Sequence, residues 1–541
     1  MDKNQEKLTS GRPLSPPDNV GAWPLHWAKT RPDAFAVSDG ERELDWKAFD
    51  GRISVLASRF RSAGVGSKGR IAVLLHNRTA YLEAFFAAAR IGAILVPINL
   101  RLSEREIAFQ FDDCRPHLLL YEKELEKLVS AALGFARHSP SQVWAVSGEV
   151  SDDYERALRT GERFEAWEDV SGDHPVLLMY TSGTTGKPKG ALLPHRKVLA
   201  NALNAASFFD NGTKDRVLIV TPLFHSLGLQ ILALPTIHAG GGLILQKKFE
   251  PAAVWDAVDA ESITYFGGVP SMHQRLNDSL RETLPHRWKR SALRFVFTAG
   301  SAVSIELIRD FKDHGILLQQ GYGQTETSTL TCLSAGESLE RAGTVGRPVK
   351  LSEVKVVDRA GGFRSPSLWR ETEPGEKGEI VVQGPVTMLG YWENPEATAE
   401  TLIAGWLCTG DLATRDEDGF ITLVGRTTDM FISGGENVYP AEIEAIYREH
   451  PAIREIALVG EAHPQWGEVG RAHLVFESGQ FLSKEELDAW AADRLARFKC
   501  PKRYVVEREL PRTASGKIQK HRLKSPEQAG GPGKSSSVAG D

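Results

Sequence analysis

The passage from Val176 to Gly190 narrows the possible folds more than any other stretch of the chain. Five apolar residues, Val176-Leu177-Leu178-Met179-Tyr180, predict a buried strand. They run straight into Thr181-Ser182-Gly183-Thr184-Thr185-Gly186-Lys187-Pro188-Lys189-Gly190, which holds four hydroxyls, three glycines and two lysines. Glycines let backbone N–H groups turn toward an anion, hydroxyls donate further hydrogen bonds, and lysines supply charge. A strand that ends in such a loop belongs to an α/β layer, and the loop has a phosphate-grasping composition. Its spacing departs from G-x-x-x-x-G-K-[ST]: only two residues separate Gly183 from Gly186, and Pro188 follows the lysine. A kinase or P-loop ATPase is therefore disfavoured.

At 541 residues the chain is too long for one ordinary core. A net charge of -5 gives no field that would gather nucleic acid. Cys114, Cys332, Cys408 and Cys500 stand far apart with no C-x-x-C pair, so neither a disulfide framework nor a zinc site is expected. The charged opening Met1-Asp2-Lys3-Asn4-Gln5-Glu6-Lys7 lacks the apolar centre of a signal peptide. The most apolar region, Leu227 to Leu245, is interrupted by Gly228, Pro235, His238 and Gly240-Gly241-Gly242, and reads as buried core rather than a membrane span. The expected address is cytoplasmic.

Further strand-like runs at Arg70–Leu75, Val217–Val220 and Leu293–Phe297 alternate with helix-length segments. After Gly343 the strands shorten, as in Glu353–Asp358 and Gly378–Val382, which predicts a β-rich subdomain. Beyond Gly425-Arg426 a helix candidate, Pro440 to His450, leads into strands at Ile456–Val459 and His473–Phe476, the pattern of a small α+β domain. The ends are rich in Pro, Gly, Ser and charge. The expected layout is a flexible N-terminus over 1–17, a large α/β domain over 18–425, a hinge at 426–430, a mobile α+β domain over 431–524, and a disordered tail over 525–541. Within the large domain two α/β subdomains and the β-rich subdomain are expected.

The loop at Thr181 resembles the signature of the adenylate-forming superfamily, in its acyl-CoA synthetase branch. The likeness continues in family order through Pro222-Leu223-Phe224-His225, Gly321-Tyr322-Gly323-Gln324-Thr325-Glu326, Thr409-Gly410-Asp411 and Gly425-Arg426 with Asp429-Met430. It ends with Ser433-Gly434-Gly435-Glu436-Asn437-Val438-Tyr439-Pro440 and Pro511-Arg512-Thr513-Ala514-Ser515-Gly516-Lys517. A single motif would be weak; this ordered series spans about residues 20 to 524.

The resemblance implies a carboxylic acid joined to the α-phosphate of ATP and then passed to a thiol. A carboxylate is a poor electrophile, and the mixed anhydride gives it AMP as a leaving group. Two anions must meet, so the site has to supply cations and oriented donors. By the same resemblance Thr181, Ser182, Gly183, Thr184, Thr185, Gly186, Lys187 and Lys189 grip the β- and γ-phosphates. Glu326 holds Mg²⁺, and Thr325, after Gln324, meets the α-phosphate. Tyr322, between Gly321 and Gly323, stacks on adenine, with Gly300 and Ser301 among the residues of the pocket wall. Asp411 takes the ribose hydroxyls, Arg426 the ribose or α-phosphate, and Lys517 bridges the acyl carboxylate and the α-phosphate. His225 lies at the mouth of the acyl pocket. Its place carries no carboxylate for an ammonium, which disfavours amino acids.

Gly434 and Gly435 are implied in lining a pantetheine tunnel, which makes coenzyme A the expected acceptor. A ligase that loads a separate carrier protein is the alternative. No phosphopantetheine attachment site follows in the chain. Thr428 stands where many relatives have Asp or Lys at the pivot of domain rotation. The acid is expected to be hydrophobic, a medium- or long-chain fatty acid or an aryl acid. No nucleic acid or membrane span is expected, and a homodimer is left open.

Overall fold

The computed structural model describes residues 19–524 apart from 149–151, 165–167, 182–187, 284–291, 301–302, 360–364, 428, 434–435, 464–465, 493, 496, 498 and 514–516. Both expected tails, the body of the glycine-rich loop and the hinge residue Thr428 lie outside the described residues. The chain divides into two units. The first comprises Met1–Thr181, Pro188–Val354 and Val382–Leu407, and the second Ser182–Lys187, Lys355–Val381 and Cys408–Asp541.

The first unit contains two α/β layers. One is a nine-stranded sheet whose central strands run parallel: Leu318–Gln324, Phe295–Thr298, Tyr265–Gly268, Arg216–Ile219, Gly242–Leu245 and Phe35–Ser38, in that order across the sheet. Helices Pro251–Ala260, Pro270–Thr283 and Ile305–Asp313 cover one face, where Val254, Leu276, Leu307 and Phe311 bury against Leu218, Phe266, Val296 and Leu318. The other is a seven-stranded sheet. Its parallel part runs Pro175–Thr181, Ile94–Pro97, Arg70–Leu74, Leu118–Glu122 and Gln142–Val146. Lys189–Pro194 pairs antiparallel with Pro175–Thr181, and Gly390–Tyr391 pairs in turn with Lys189–Pro194. Ile94–Pro97, Arg70–Leu74 and Leu118–Glu122 are nearly continuous apolar runs because both faces are covered.

The β-rich region is a third sheet built on Glu353–Asp358, Gly378–Gln383 and Trp406–Arg415, with Ile421–Arg426 paired to Trp406–Arg415. The end of the second unit is α+β. A hairpin of Ile453–His463 and Gly467–Phe476 takes Arg503–Val506 as a parallel neighbour. Helices Pro440–Arg448 and Lys484–Ala492 bury Ile443, Tyr447, Leu487 and Ala491 against Ile456, Leu458, Ala472 and Leu474.

The region from Leu227 to Leu245 is a seven-residue π-helical segment, Leu227–Ala233, a short helix, Leu234–His238, and the strand Gly242–Leu245. No described helix is long and apolar enough to cross a membrane. None of the four cysteines is in a disulfide.

Candidate active site

The strand Pro175–Thr181 and its partner Lys189–Pro194 close on each other at the pair Thr181↔Lys189, the two ends of the hydroxyl- and glycine-rich loop. Ser182, Gly183, Thr184, Thr185, Gly186 and Lys187 lie outside the described residues, so the site is built from the loop's two anchors. Lys189 places its ammonium 5.3 Å from the centre of the Tyr391 ring. Pairing of Gly390–Tyr391 with Leu192 and Ala191 fixes the backbone that carries that ring.

Thr181 and Tyr391 converge on one carboxylate. The Thr181 hydroxyl donates to Glu326 Oε1 at 3.3 Å, and the Tyr391 hydroxyl donates to the same oxygen at 3.0 Å. Glu326 is buried, and its carbonyl accepts the Met388 N–H at 2.8 Å. No described residue is seen to bond Oε2. A carboxylate held by one oxygen, with no bond to the other among the described residues, has the donor chemistry of a hard divalent cation's ligand.

Glu326 rides on the turn between Leu318–Gln324 and Ser328–Leu333. Gly321, Tyr322, Gly323 and Gln324 form the outgoing end of the first strand and pair with Cys332, Thr331, Thr329 and Ser328. Thr325 is half-buried in the turn. At Gly323 glycine is required for space, since a Cβ would stand 1.7 Å from the Ser328 carbonyl oxygen. Tyr322 is buried, and Gly300 follows Phe295–Thr298 at a φ of 95°, a left-handed conformation that favours glycine. Ser301 lies outside the described residues. His225 is half-buried just before the π-helical segment, its ring 4.6 Å from that of Phe224.

The inner side of this turn is held by residues that the sequence reading did not select. Helix His195–Phe209 turns Lys197, Asn201 and Asn204 inward, all three buried. Lys197 Nζ donates to Gln230 Oε1 at 2.8 Å and to Ser328 Oγ at 2.5 Å. Asn201 donates to the Gln230 carbonyl, and Asn204 Oδ1 accepts the Leu351 N–H at 3.0 Å. Burial pushes the Lys197 ammonium down to about 7, while the Glu326 charge opposes the fall. Spacing at i, i+4 and i+7 places the three on one helix face, and that periodicity was available in the sequence. Tyr391, by contrast, carries no local signal of its contact with Glu326.

In the second unit, Asp411 is buried on Trp406–Arg415 and pairs with Arg426 Nε at 2.9 Å, directly across the ladder to Ile421–Arg426. Gly410 adopts a φ of 70°, with its N–H on Glu379 Oε1 and its carbonyl accepting both the N–H and the hydroxyl of Thr427. Lys517 is exposed; its N–H donates to the Thr513 hydroxyl and its carbonyl accepts the Thr513 N–H. Gly434 and Gly435 lie outside the described residues.

Comparison with known proteins places the chain in a family. A family described as AMP-binding enzyme matches residues 25–392, and the AMP-binding enzyme C-terminal domain matches residues 442–517. The chain is 38% identical to a feruloyl-CoA synthase of Amycolatopsis sp over 505 residues, covering 93% of this chain and 97% of that protein. It is 35% identical to an indoleacetate–CoA ligase of Aromatoleum aromaticum over 513 residues, with coverages of 93% and 96%. The o-succinylbenzoate CoA synthetase of Bacillus subtilis, solved with its acyl-adenylate intermediate, superposes with a TM-score of 0.81 at 29% identity, covering 93% of this chain and 98% of that one. The same enzyme solved with ATP and a magnesium ion gives a TM-score of 0.79 at 30% identity, with coverages of 93% and 99%.

Proposed function

The chain belongs to the AMP-binding enzyme family, and we propose that it is the member that activates an aryl carboxylic acid and passes it to coenzyme A. Its class is that of the AMP-forming acid–thiol ligases: acid, ATP and thiol give thioester, AMP and pyrophosphate. One observation carries the reading, the convergence on Glu326 of Tyr391 and of Thr181, the residue that opens the hydroxyl- and glycine-rich segment of the sequence.

The chemistry asks two things of the protein. It must neutralise the polyphosphate, and it must bring the carboxylate in line with the α-phosphorus. Glu326, with Oε1 fixed by two hydroxyls, fits Mg²⁺, which when bound supplies positive charge against the phosphate oxygens. The loop from Thr181 to Lys189 supplies donors and cations to the departing pyrophosphate. Asp411 is assigned to the ribose, where a carboxylate accepts from two hydroxyls, and its pairing with Arg426 holds it there. Thr325 is assigned to the α-phosphate, Tyr322 to the adenine, and Lys517 to the charge that develops between acid and phosphate. Gly434 and Gly435 are assigned to the pantetheine arm.

The relatives named for feruloyl-CoA and indoleacetate favour an aryl acid. A fatty acid is the second reading, because a long-chain-fatty-acid–CoA ligase of Mycobacterium tuberculosis is 32% identical over 508 residues. The decisive experiment incubates purified protein with ATP, Mg²⁺, coenzyme A and a panel of aryl, arylacetic, medium-chain and long-chain acids, reading pyrophosphate and thioester. Turnover concentrated among the aryl acids is expected. Turnover only with aliphatic acids overturns the substrate, and transfer to a carrier protein but not to coenzyme A overturns the acceptor.

A further inference from the structure

We infer that Lys197 is a positioning residue for adenylation, holding from within the turn that presents Glu326. The inference rests on the reading of Glu326 given above and extends it to a fully buried residue bonded to Gln230 and Ser328.

The first turn of helix His195–Phe209 grips the Glu326 turn by two routes. Arg196 NH1 donates to the carbonyls of Pro385 and Thr387, both at 2.8 Å, and so fixes the segment whose Met388 N–H and Tyr391 hydroxyl bond Glu326. Lys197, the next residue, reaches Ser328, two positions beyond Glu326. Ser328 is fully buried at a φ of 61°, a left-handed conformation that a residue with a side chain adopts only when its surroundings impose it. The Lys197 bond to its hydroxyl is part of that imposition. The second Lys197 bond, to Gln230, ties the turn to the π-helical segment Leu227–Ala233, the kind of local irregularity that recurs at functional sites.

A fully buried lysine is an expensive way to pack a helix against a turn. An apolar side chain of equal length would fill the space at lower cost, but it would leave Ser328 Oγ without its donor and Gln230 Oε1 with only the Ser328 hydroxyl, at 3.4 Å. Lysine is thus suited to fixing a conformation rather than to filling a core. Glu326 then stands ordered before Mg²⁺ and ATP arrive, and reorganisation is not charged to the reaction.

The test separates the two half-reactions. In Lys197→Met, acid-dependent ATP–pyrophosphate exchange should fall about 10- to 100-fold, the scale of a lost charged donor with stranded partners. The Mg²⁺ concentration for half-maximal exchange should rise, while thioester formation from a supplied acyl-adenylate should keep its rate. Lys197→Arg, which retains donors, should recover part of the exchange, and Ser328→Ala should show the same selective loss in milder form. Equal loss in both half-reactions, or exchange with unaltered Mg²⁺ dependence, overturns the inference. If Lys197→Met does not fold, Ser328→Ala decides: unaltered exchange overturns the inference, and a selective loss supports it. Absence of exchange in the parent enzyme with every acid would instead defeat the functional reading itself.

Discussion

The Tyr391 hydroxyl donates to Glu326 Oε1 across 3.0 Å, although 65 positions separate the two residues in the chain. With Thr181 on the same oxygen, the carboxylate is held in one orientation. Glu326→Gln replaces an anionic oxygen by an amide and should lower acid-dependent pyrophosphate exchange by at least about 100-fold. Tyr391→Phe removes one charge-assisted hydrogen bond and should cost about 10-fold, with a raised Mg²⁺ requirement. A larger loss in Tyr391→Phe than in Glu326→Gln would contradict the division of labour.

Two glycines of the same strand make a sharper structural contrast. A Cβ at Gly323 would meet the backbone of Ser328 and Thr329, at 1.7 Å and 3.0 Å, and neither can yield without opening the Glu326 turn. At Gly321 the obstacle is the edge of the Phe297 ring at 2.6 Å, a side chain that can shift. Gly321→Ala should therefore cost about 1–3 kcal/mol, as overpacking does, and Gly323→Ala clearly more. Denaturant unfolding of the two variants measures the order, and the reverse order refutes the argument.

Several elements were legible in the sequence because a single cause produced them. Val176–Tyr180 is the observed strand Pro175–Thr181, since burial on both faces demands an unbroken apolar run. Pro440 to His450 is the helix Pro440–Arg448, with proline at its start. The expected strand Leu293–Phe297 begins only at Phe295; the Arg294 N–H bonds the Thr264 carbonyl just ahead of the ladder, while its guanidinium reaches the Phe209 carbonyl and Asp215. Within the site, the reading selected residues that chemistry makes conspicuous, such as Glu326. It passed over Lys197, whose neighbours His195 and Arg196 make it look like one more solvated charge. Tyr391 was passed over for another reason: its partner is set by sheet pairing far along the chain, which no local pattern encodes.

Two buried histidines set a limit on acid tolerance. Burial pushes the His195 imidazole down to about 3 and the His273 imidazole down to about 4, from an ordinary 6.5. Both are neutral in the folded chain, so above pH 6.5 they cost nothing. As pH falls from 6.5 toward 4 the unfolded chain takes up protons that the folded chain refuses. Each histidine then lowers stability by about 1.4 kcal/mol per pH unit, and the loss flattens once the folded groups protonate. Urea unfolding at pH 7, 6 and 5 should show this slope, and His273→Leu should reduce it by one proton's worth. An unchanged slope in that variant would exclude His273 as a source.

Lys517 is the candidate whose removal should cost the most activity for the least structure. Its side chain is exposed, and its backbone N–H and carbonyl, not its ammonium, bond the hydroxyl and N–H of Thr513. Lys517→Ala should therefore melt with the parent chain. Adenylation brings an acid carboxylate against a phosphate, and a cation aimed at the charge they share is worth about 10²- to 10³-fold in rate. Thioester formation from a supplied acyl-adenylate begins after that charge has gone, so it should proceed at the parent rate. A comparable loss in both half-reactions would place the lysine in substrate entry or domain movement rather than in the first chemical step.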